Sequence, residues 1–275
     1  MVDYRGDRNM HITSRRLILS ILFIICLSFQ ASAWNIMVVG SGNQSSASCD
    51  TSNVDLWWRC EALDFSATNG CNAGTGEDCA VSDDTAANTN CAINADASYF
   101  GTGTGLDCPT SNDYVSFSTP LATMDDEGRL GLWIRITTWQ DEAPFYTIYD
   151  DSDDLVRLSM DGTDELEVYW RDNGTTRTAL TTNNANLSTG IFYFIEFAWK
   201  TSSNLREIYL NGTELTYAAG DGADISSFDG DVDTLYFGDS TSAASYDVHM
   251  DNIIYSTDST VDLYTVCKDE EEWPE

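Results

Sequence analysis

The sequence predicts an all-β sandwich of two antiparallel sheets, and three observations carry that prediction. Beyond residue 110, apolar and polar residues alternate in short runs, the period of a strand with one buried face. These runs recur at roughly ten-residue spacing with Gly, Asn and Asp between them, the punctuation of two-sheet β domains. No stretch past residue 110 holds the 3.6-residue period of an amphipathic helix.

The elements follow in order. Arg129 to Thr137 alternates and places Leu130, Leu132, Ile134 and Ile136 on one face. Pro144 to Tyr149 and Leu155 to Met160 are short strands, and Asp161-Gly162 turns the chain into Leu166 to Trp170. Asn173-Gly174 leads into a Thr-rich strand that ends near Thr182. Ile191 to Trp199 is the most apolar stretch and is expected to be a central strand buried on both faces. Leu205 to Leu210 meets Thr213 to Tyr217 across Asn211-Gly212, a two-residue hairpin signal. Asp233 to Gly238 and Val248 to Ser256 complete the set, and residues 267–275 form an acidic tail.

The N-terminal region addresses the protein rather than folding it. Arg15 and Arg16 precede the apolar run Leu17 to Phe29 and then Ala31-Ser32-Ala33, the layout of a secretory signal peptide spanning residues 1–33, with Met10 as an alternative start. That run makes about 20 Å of helix, short of the roughly 30 Å of a bilayer core. Cys26 follows Ile24-Ile25 rather than a small residue, so lipid attachment is not expected. Cleavage leaves 242 residues outside the cytoplasm, with no membrane insertion afterwards. Residues 34–53 are read as an extension ahead of a domain over 54–266.

Cysteine usage agrees with export. Cys49, Cys60, Cys71, Cys79, Cys91 and Cys108 crowd one Asn-, Thr- and Gly-rich stretch, and Cys267 stands alone near the end. In an exported chain this reads as disulfides stapling loops, with Cys71–Cys79 and Cys91–Cys108 as local pairs and Cys267 reaching back to Cys49 or Cys60. Seven cysteines leave one over, which allows self-association through an intermolecular bond. A zinc–thiolate site lacks paired C-x-x-C units, and His249 is the only histidine past residue 33.

Charge excludes some partners. The 45 acidic and 13 basic residues become 43 and 9, a net of −34, once Asp3, Asp7, Arg5, Arg8, Arg15 and Arg16 leave with the signal. Such a surface repels nucleic acid and anionic membranes. It keeps a protein soluble in salt, and some of its carboxylates could hold Ca2+, a hard cation that takes oxygen ligands. Asp150, Asp151, Asp153 and Asp154 crowd one turn, and Asp229-Gly-Asp-Val-Asp233 opens like a calcium loop without its later Gly and Glu.

Enzyme chemistry finds little purchase. Glu165 and Glu167 share a strand face as a carboxylate pair for glycoside cleavage requires, but Leu166, Val168 and Trp170 claim the core, so both glutamates are expected in solvent. Recognition fits better: sugar rings stack on flat aromatics while polar groups orient their hydroxyls. Trp139, Tyr149, Tyr169 and Trp170, with Arg171 beside them, are the candidate contact surface.

The order of Leu56-Trp57-Trp58, Asp64 to Gly70, Asn112 to Phe117, Ile208 to Gly212, Leu235 to Gly238 and His249 to Tyr255 resembles the laminin G-like branch of the concanavalin A-like jelly rolls. The resemblance covers about residues 54–257 and implies a jelly roll of two antiparallel sheets. It also implies that Asp113 and Asp251 sit where relatives carry acids, as metal ligands or as hydrogen-bond acceptors. The Cys60–Cys108 segment departs from it, being longer and richer in cysteine. Since this architecture hosts many functions, the expected role is non-catalytic binding of an extracellular glycan or surface protein. A surface-layer or filament subunit and a polysaccharide-cleaving enzyme are the alternatives. N-terminal sequencing of the exported protein is expected to begin Trp34-Asn35-Ile36, and a retained segment 10–33 would contradict the export reading.

Overall fold

The computed structural model describes residues 56–58, 60, 87–99, 104–110, 112–118, 126–138, 144–228, 232–238 and 247–267, all within the unit running from Ser48 to Glu275. The signal segment, the Cys71–Cys79 pair, Trp139 and the start of the Asp229–Asp233 turn lie outside the described residues.

The strands run in chain order as β1 (Leu56–Trp58), β2 (Ala87–Thr89), β3 (Ala92–Asn94), β4 (Gly105–Cys108), β5 (Tyr114–Ser118) and β6 (Glu127–Thr138). Then come β7 (Pro144–Tyr149), β8 (Leu155–Met160), β9 (Leu166–Asp172), β10 (Thr175–Thr176), β11 (Leu180–Thr182) and β12 (Phe192–Lys200). The last are β13 (Leu205–Leu210), β14 (Thr213–Glu214), β15 (Tyr217–Ala219), β16 (Thr234–Gly238) and β17 (Asp247–Ser256). One short helix not expected from the sequence, α1 (Leu263–Cys267), follows them; five residues are too few to display a period.

Two sheets result, and every ladder between described strands is antiparallel. The first has the order β14-β13-β12-β6-β17-β4-β3, with β1 also on β17; the second runs β15-β11-β9-β8-β7-β16-β5-β2, with β10 on β9. The chain is thus the antiparallel two-sheet sandwich its alternation predicts. Asn211 and Gly212 both hold positive φ, 51° and 75°, as a tight hairpin turn requires. The segment after that turn is not one strand: β14 pairs with β13 in the first sheet, whereas β15 pairs with β11 in the second. Leu215, buried between them, marks the crossing.

The core lies between the sheets. From the first come Leu130, Leu132, Ile134, Ile136, Phe197, Trp199, Met250 and Tyr255; from the second, Val115, Phe117, Ile148, Leu158, Val168, Trp170 and Phe237. The expected Cys91–Cys108 disulfide is present and ties the edge of β3 to β4.

The first sheet is also covered on its outer side. Trp133 points outward from β6, stacks 3.5 Å from Tyr99 and meets Phe194 edge-on at 5.3 Å. Asp251 on β17 holds Tyr99 there by accepting its backbone N–H at 2.9 Å. The Glu196 carboxylate on β12 accepts from Arg129 Nε at 2.9 Å and from the backbone N–H groups of Leu263 and Tyr264 at 3.1 and 3.3 Å, which docks α1. Burial pushes the Glu196 carboxyl above its usual range, against the pull of Arg129. Gly131 stands directly across from Glu196, where a Cβ would come within 3.0 Å of its Cγ.

A second buried carboxylate organises the other sheet. Asp172, at the end of β9, accepts from Trp170 Nε1, Arg177 Nε and the Ser226 backbone N–H, each at about 2.9 Å. Burial would raise its carboxyl, but the Arg177 guanidinium and the Ser226 hydrogen bonds outweigh that and hold it below the usual range. A depressed folded value stabilises the fold above the unfolded value near pH 4 and loses that contribution as pH falls through the lower folded value. Asp172→Asn is therefore expected to cost about 1.5–3 kcal/mol at neutral pH. Thermal melts from pH 7 to pH 2 check this: the gap to wild type should shrink below about pH 4.

Candidate functional site

With the first sheet covered on both sides, the outer face of the second becomes the open sheet surface of the described residues. Alternation decides what it shows. Val115, Phe117, Leu235, Phe237, Ile148, Val156, Leu158, Val168 and Trp170 turn inward. Their neighbours Tyr114, Tyr236, Tyr149, Arg157, Tyr169 and Arg171 turn outward and stay half-buried.

Strand pairing then assembles these side chains. Tyr236 on β16 lies between β5 and β7, opposite Ser116 on one side and Thr147 on the other. Its ring meets Tyr114 at 5.4 Å and Tyr149 at 6.1 Å, both edge-to-face, the arrangement ring quadrupoles favour. Thr147 is opposite Arg157, and Arg157 is opposite Tyr169. The Arg157 guanidinium lies 5.4 Å from the Tyr169 ring centroid, and Tyr169 Oη hydrogen-bonds Thr176 Oγ1 at 2.9 Å. The result is a continuous Ser116–Tyr236–Thr147–Arg157–Tyr169 row across five strands. Burial, with the neighbouring Tyr114 and Tyr149, raises the Tyr236 phenol above its ordinary value despite its bond with Thr234, so it stays a neutral donor at physiological pH.

The turn that links β7 to β8 gives this face an acidic rim at one end of its strands. Asp151 Oδ1 accepts from the backbone N–H groups of Asp153 and Asp154 at 2.6 and 3.1 Å, and Asp154 Oδ1 accepts from Asn173 N–H at 2.7 Å. Arg171 Nη2 donates to Asp153 Oδ1 at 3.0 Å, and Gly174 N–H bonds to the Asp153 carbonyl. These contacts make the Asp150–Asp154 turn a self-capped loop docked on the Asn173-Gly174 turn. One carboxylate oxygen of each of Asp151 and Asp153 is thus aimed at an N–H donor.

The structure separates the other candidates. Of the expected contact aromatics, Tyr149 and Tyr169 share the outer face with Arg171, whereas Trp139 lies outside the described residues. Trp170 does not belong to a contact surface: it is fully buried between the sheets with its indole N–H on Asp172, because it shares the face of Leu166 and Val168. Asp113 is buried, and its Oδ2 accepts from Thr110 N–H and Oγ1 at 2.8 and 2.6 Å, which caps a turn. Asp251 likewise accepts from the backbone N–H groups of Tyr99 and Asn252.

Glu165 is not in solvent either. It is buried, and its Oε2 accepts from Thr182 Oγ1 at 2.6 Å and Ala185 N–H at 2.7 Å, so it closes a loop. Tyr114, Tyr236 and Arg157 escaped the sequence reading, although the alternation of their strands marks each as outward. Strand order, which makes them neighbours, is not visible in local pattern.

No known protein-family pattern matches this chain, and no curated protein does. Solved structures do. The botulinum neurotoxin serotype D binding domain is 13% identical with a TM-score of 0.57, over 80% of this chain and 52% of that domain. The ligand-binding domain of serotype D in complex with N-acetylneuraminic acid is 13% identical, with a TM-score of 0.54 over 78% of this chain and 50% of that one. The sialidase of Trypanosoma rangeli, also 13% identical, gives a TM-score of 0.55 over 81% of this chain and 34% of the enzyme. This chain spans about half of the toxin domains and a third of the sialidase. At such identities the likeness is one of fold.

Trp170→Ala tests the inward placement. It is expected to lower stability by about 3–5 kcal/mol in chemical denaturation, as removal of a buried aromatic does. A near-neutral effect would place the ring at the surface.

Proposed function

We propose that the chain is an exported, non-catalytic recognition module that holds an extracellular glycan, or a glycan-bearing surface protein, against the outer face of its second sheet. The observation that carries this reading is the row of half-buried tyrosines joined to Arg157 and Arg171 across adjacent strands. Tyrosine rings offer flat apolar faces to sugar C–H groups, and their phenols offer hydroxyl donors and acceptors. Arginine forks suit carboxylate or ring-oxygen acceptors. Because the side chains stand on paired strands rather than on loops, their spacing is set before a ligand arrives, which lowers the cost of binding. The fold shared with a domain solved with N-acetylneuraminic acid and with a sialidase supports a carbohydrate ligand. Membership of the laminin G-like branch belongs to the same proposal.

A cleaving enzyme is less favoured, since Glu165 is committed to Thr182 and Ala185 and Glu167 accepts from Thr181 Oγ1 at 3.1 Å. Calcium enters as a condition of the test. The purified exported protein is screened on a glycan array with Ca2+ and with chelator. Selective binding is expected, and a Tyr149→Ala/Tyr236→Ala variant should bind at least about tenfold more weakly, a loss of ~1.4 kcal/mol, while remaining folded by circular dichroism at the assay temperature. Full binding by the folded double variant would reject this face, and no binding in either condition would favour a structural subunit.

A further inference from the structure

The opposite side of the molecule carries a cluster that glycan recognition does not use. On the outer face of the first sheet, His249 of β17 sits between Asp107 of β4 and Arg135 of β6 in direct cross-strand register. Asp247, two residues before His249, shares its face. One ligand atom from each of Asp107, Asp247 and His249 falls within 4.8 Å of the others.

The distances discriminate between a proton and a metal ion at the centre of this group. His249 Nε2 is 3.5 Å from Asp107 Oδ1 and 3.9 Å from Asp247 Oδ1. A direct N–H···O bond needs about 2.7–3.2 Å, so both are too long. Two ligands about 2.0–2.1 Å from a tetrahedral zinc-type ion stand about 3.3 Å apart, close to what is seen. Both Oδ1 atoms are buried and have no hydrogen-bond partner, which is costly for a carboxylate oxygen unless something positive meets it. The His249 side chain is itself only 10% exposed. Asn94 Nδ2 donates to the other Asp107 oxygen at 3.1 Å and so fixes where Oδ1 points, as outer-shell partners of metal ligands do.

We propose that Asp107 Oδ1, Asp247 Oδ1 and His249 Nε2 form a binding site for one divalent transition-metal ion of the zinc type. One imidazole and two carboxylates are a donor set for such an ion, whereas calcium takes six to eight oxygens. Arg135 gates it. Its Nη2 is 2.5 Å from His249 Nδ1 and also donates to the Asp96 carbonyl, and its guanidinium lies 4.8 Å from the Phe192 ring centroid. A metal on Nε2 leaves the imidazole proton on Nδ1, facing a guanidinium N–H. Occupancy therefore displaces Arg135 from His249, while the Asp96 carbonyl and Phe192 still hold it. The site joins β4 and β17, and through Arg135 it reaches the Ala95–Ala97 turn beside Tyr99.

Isothermal titration of Zn2+ into the chelator-stripped full chain tests this, with Ca2+ as the control for diffuse attraction to an acidic surface. One saturable Zn2+ per chain is expected, lost in both His249→Gln and Asp247→Asn. Should His249→Gln fail to fold, Asp247→Asn decides, because that side chain is about one-third exposed. Arg135→Gln offers an oxygen to Nδ1–H and should tighten Zn2+ by about tenfold or more. Absence of a saturable site, or equal affinity in Asp247→Asn, overturns the proposal. The titration contains no glycan, so its outcome is independent of the recognition reading.

Discussion

The architecture depends on one buried carboxylate. Glu196 stands in the middle of the first sheet with no exposure to water, answered by Arg129 and by the first backbone N–H groups of α1. An ion pair in such a place is favourable only when its geometry is good and further hydrogen bonds complete it. Those bonds come from α1, so the helix and the pair require each other. Tyr264 of α1 then lies 5.7 Å from Phe194 and 6.2 Å from Trp133, sealing that side of the sheet. Arg129 also packs 4.0 Å from the Tyr209 ring centroid, which extends the cover toward β13.

This cover bears on the proposed recognition. Because the first sheet is covered on both sides, the proposed contact area falls to the second. There the outward side chains include four tyrosines, Arg157 and Arg171, with Glu167 sharing the face. Their half-burial matters: rings wedged edge-to-face against their neighbours lose little freedom when a ligand settles on them.

Much of the sandwich was legible in the residues. The alternation of Leu130, Leu132, Ile134 and Ile136 sets the inward face of β6, the Asn211-Gly212 pair locates a hairpin, and the short spacing of Cys91 and Cys108 marks a local pair. Trp170 was equally legible, since it lies two residues past Val168 on the core face; weighing its aromatic chemistry above its period misplaced it. Other features have no local signature. Glu165 is buried because Thr182 and Ala185 fold over it, and those partners are set by the β9–β11 pairing. Asp107 and His249 are far apart in sequence and meet only because β17 inserts between β4 and β6. α1 is too short for its pattern to outvote the turns around it.

The positions of β16 and β17 have a consequence for biogenesis. Each is among the last strands in the chain, yet each lies between earlier ones: β16 between β5 and β7, β17 between β4 and β6. Neither sheet can close until the C-terminal strands arrive, and such long-range pairings form slowly. The topology thus delays closure of both sheets until the C-terminal strands are made, and leaves β4, β5, β6 and β7 each with an unpaired edge for that interval.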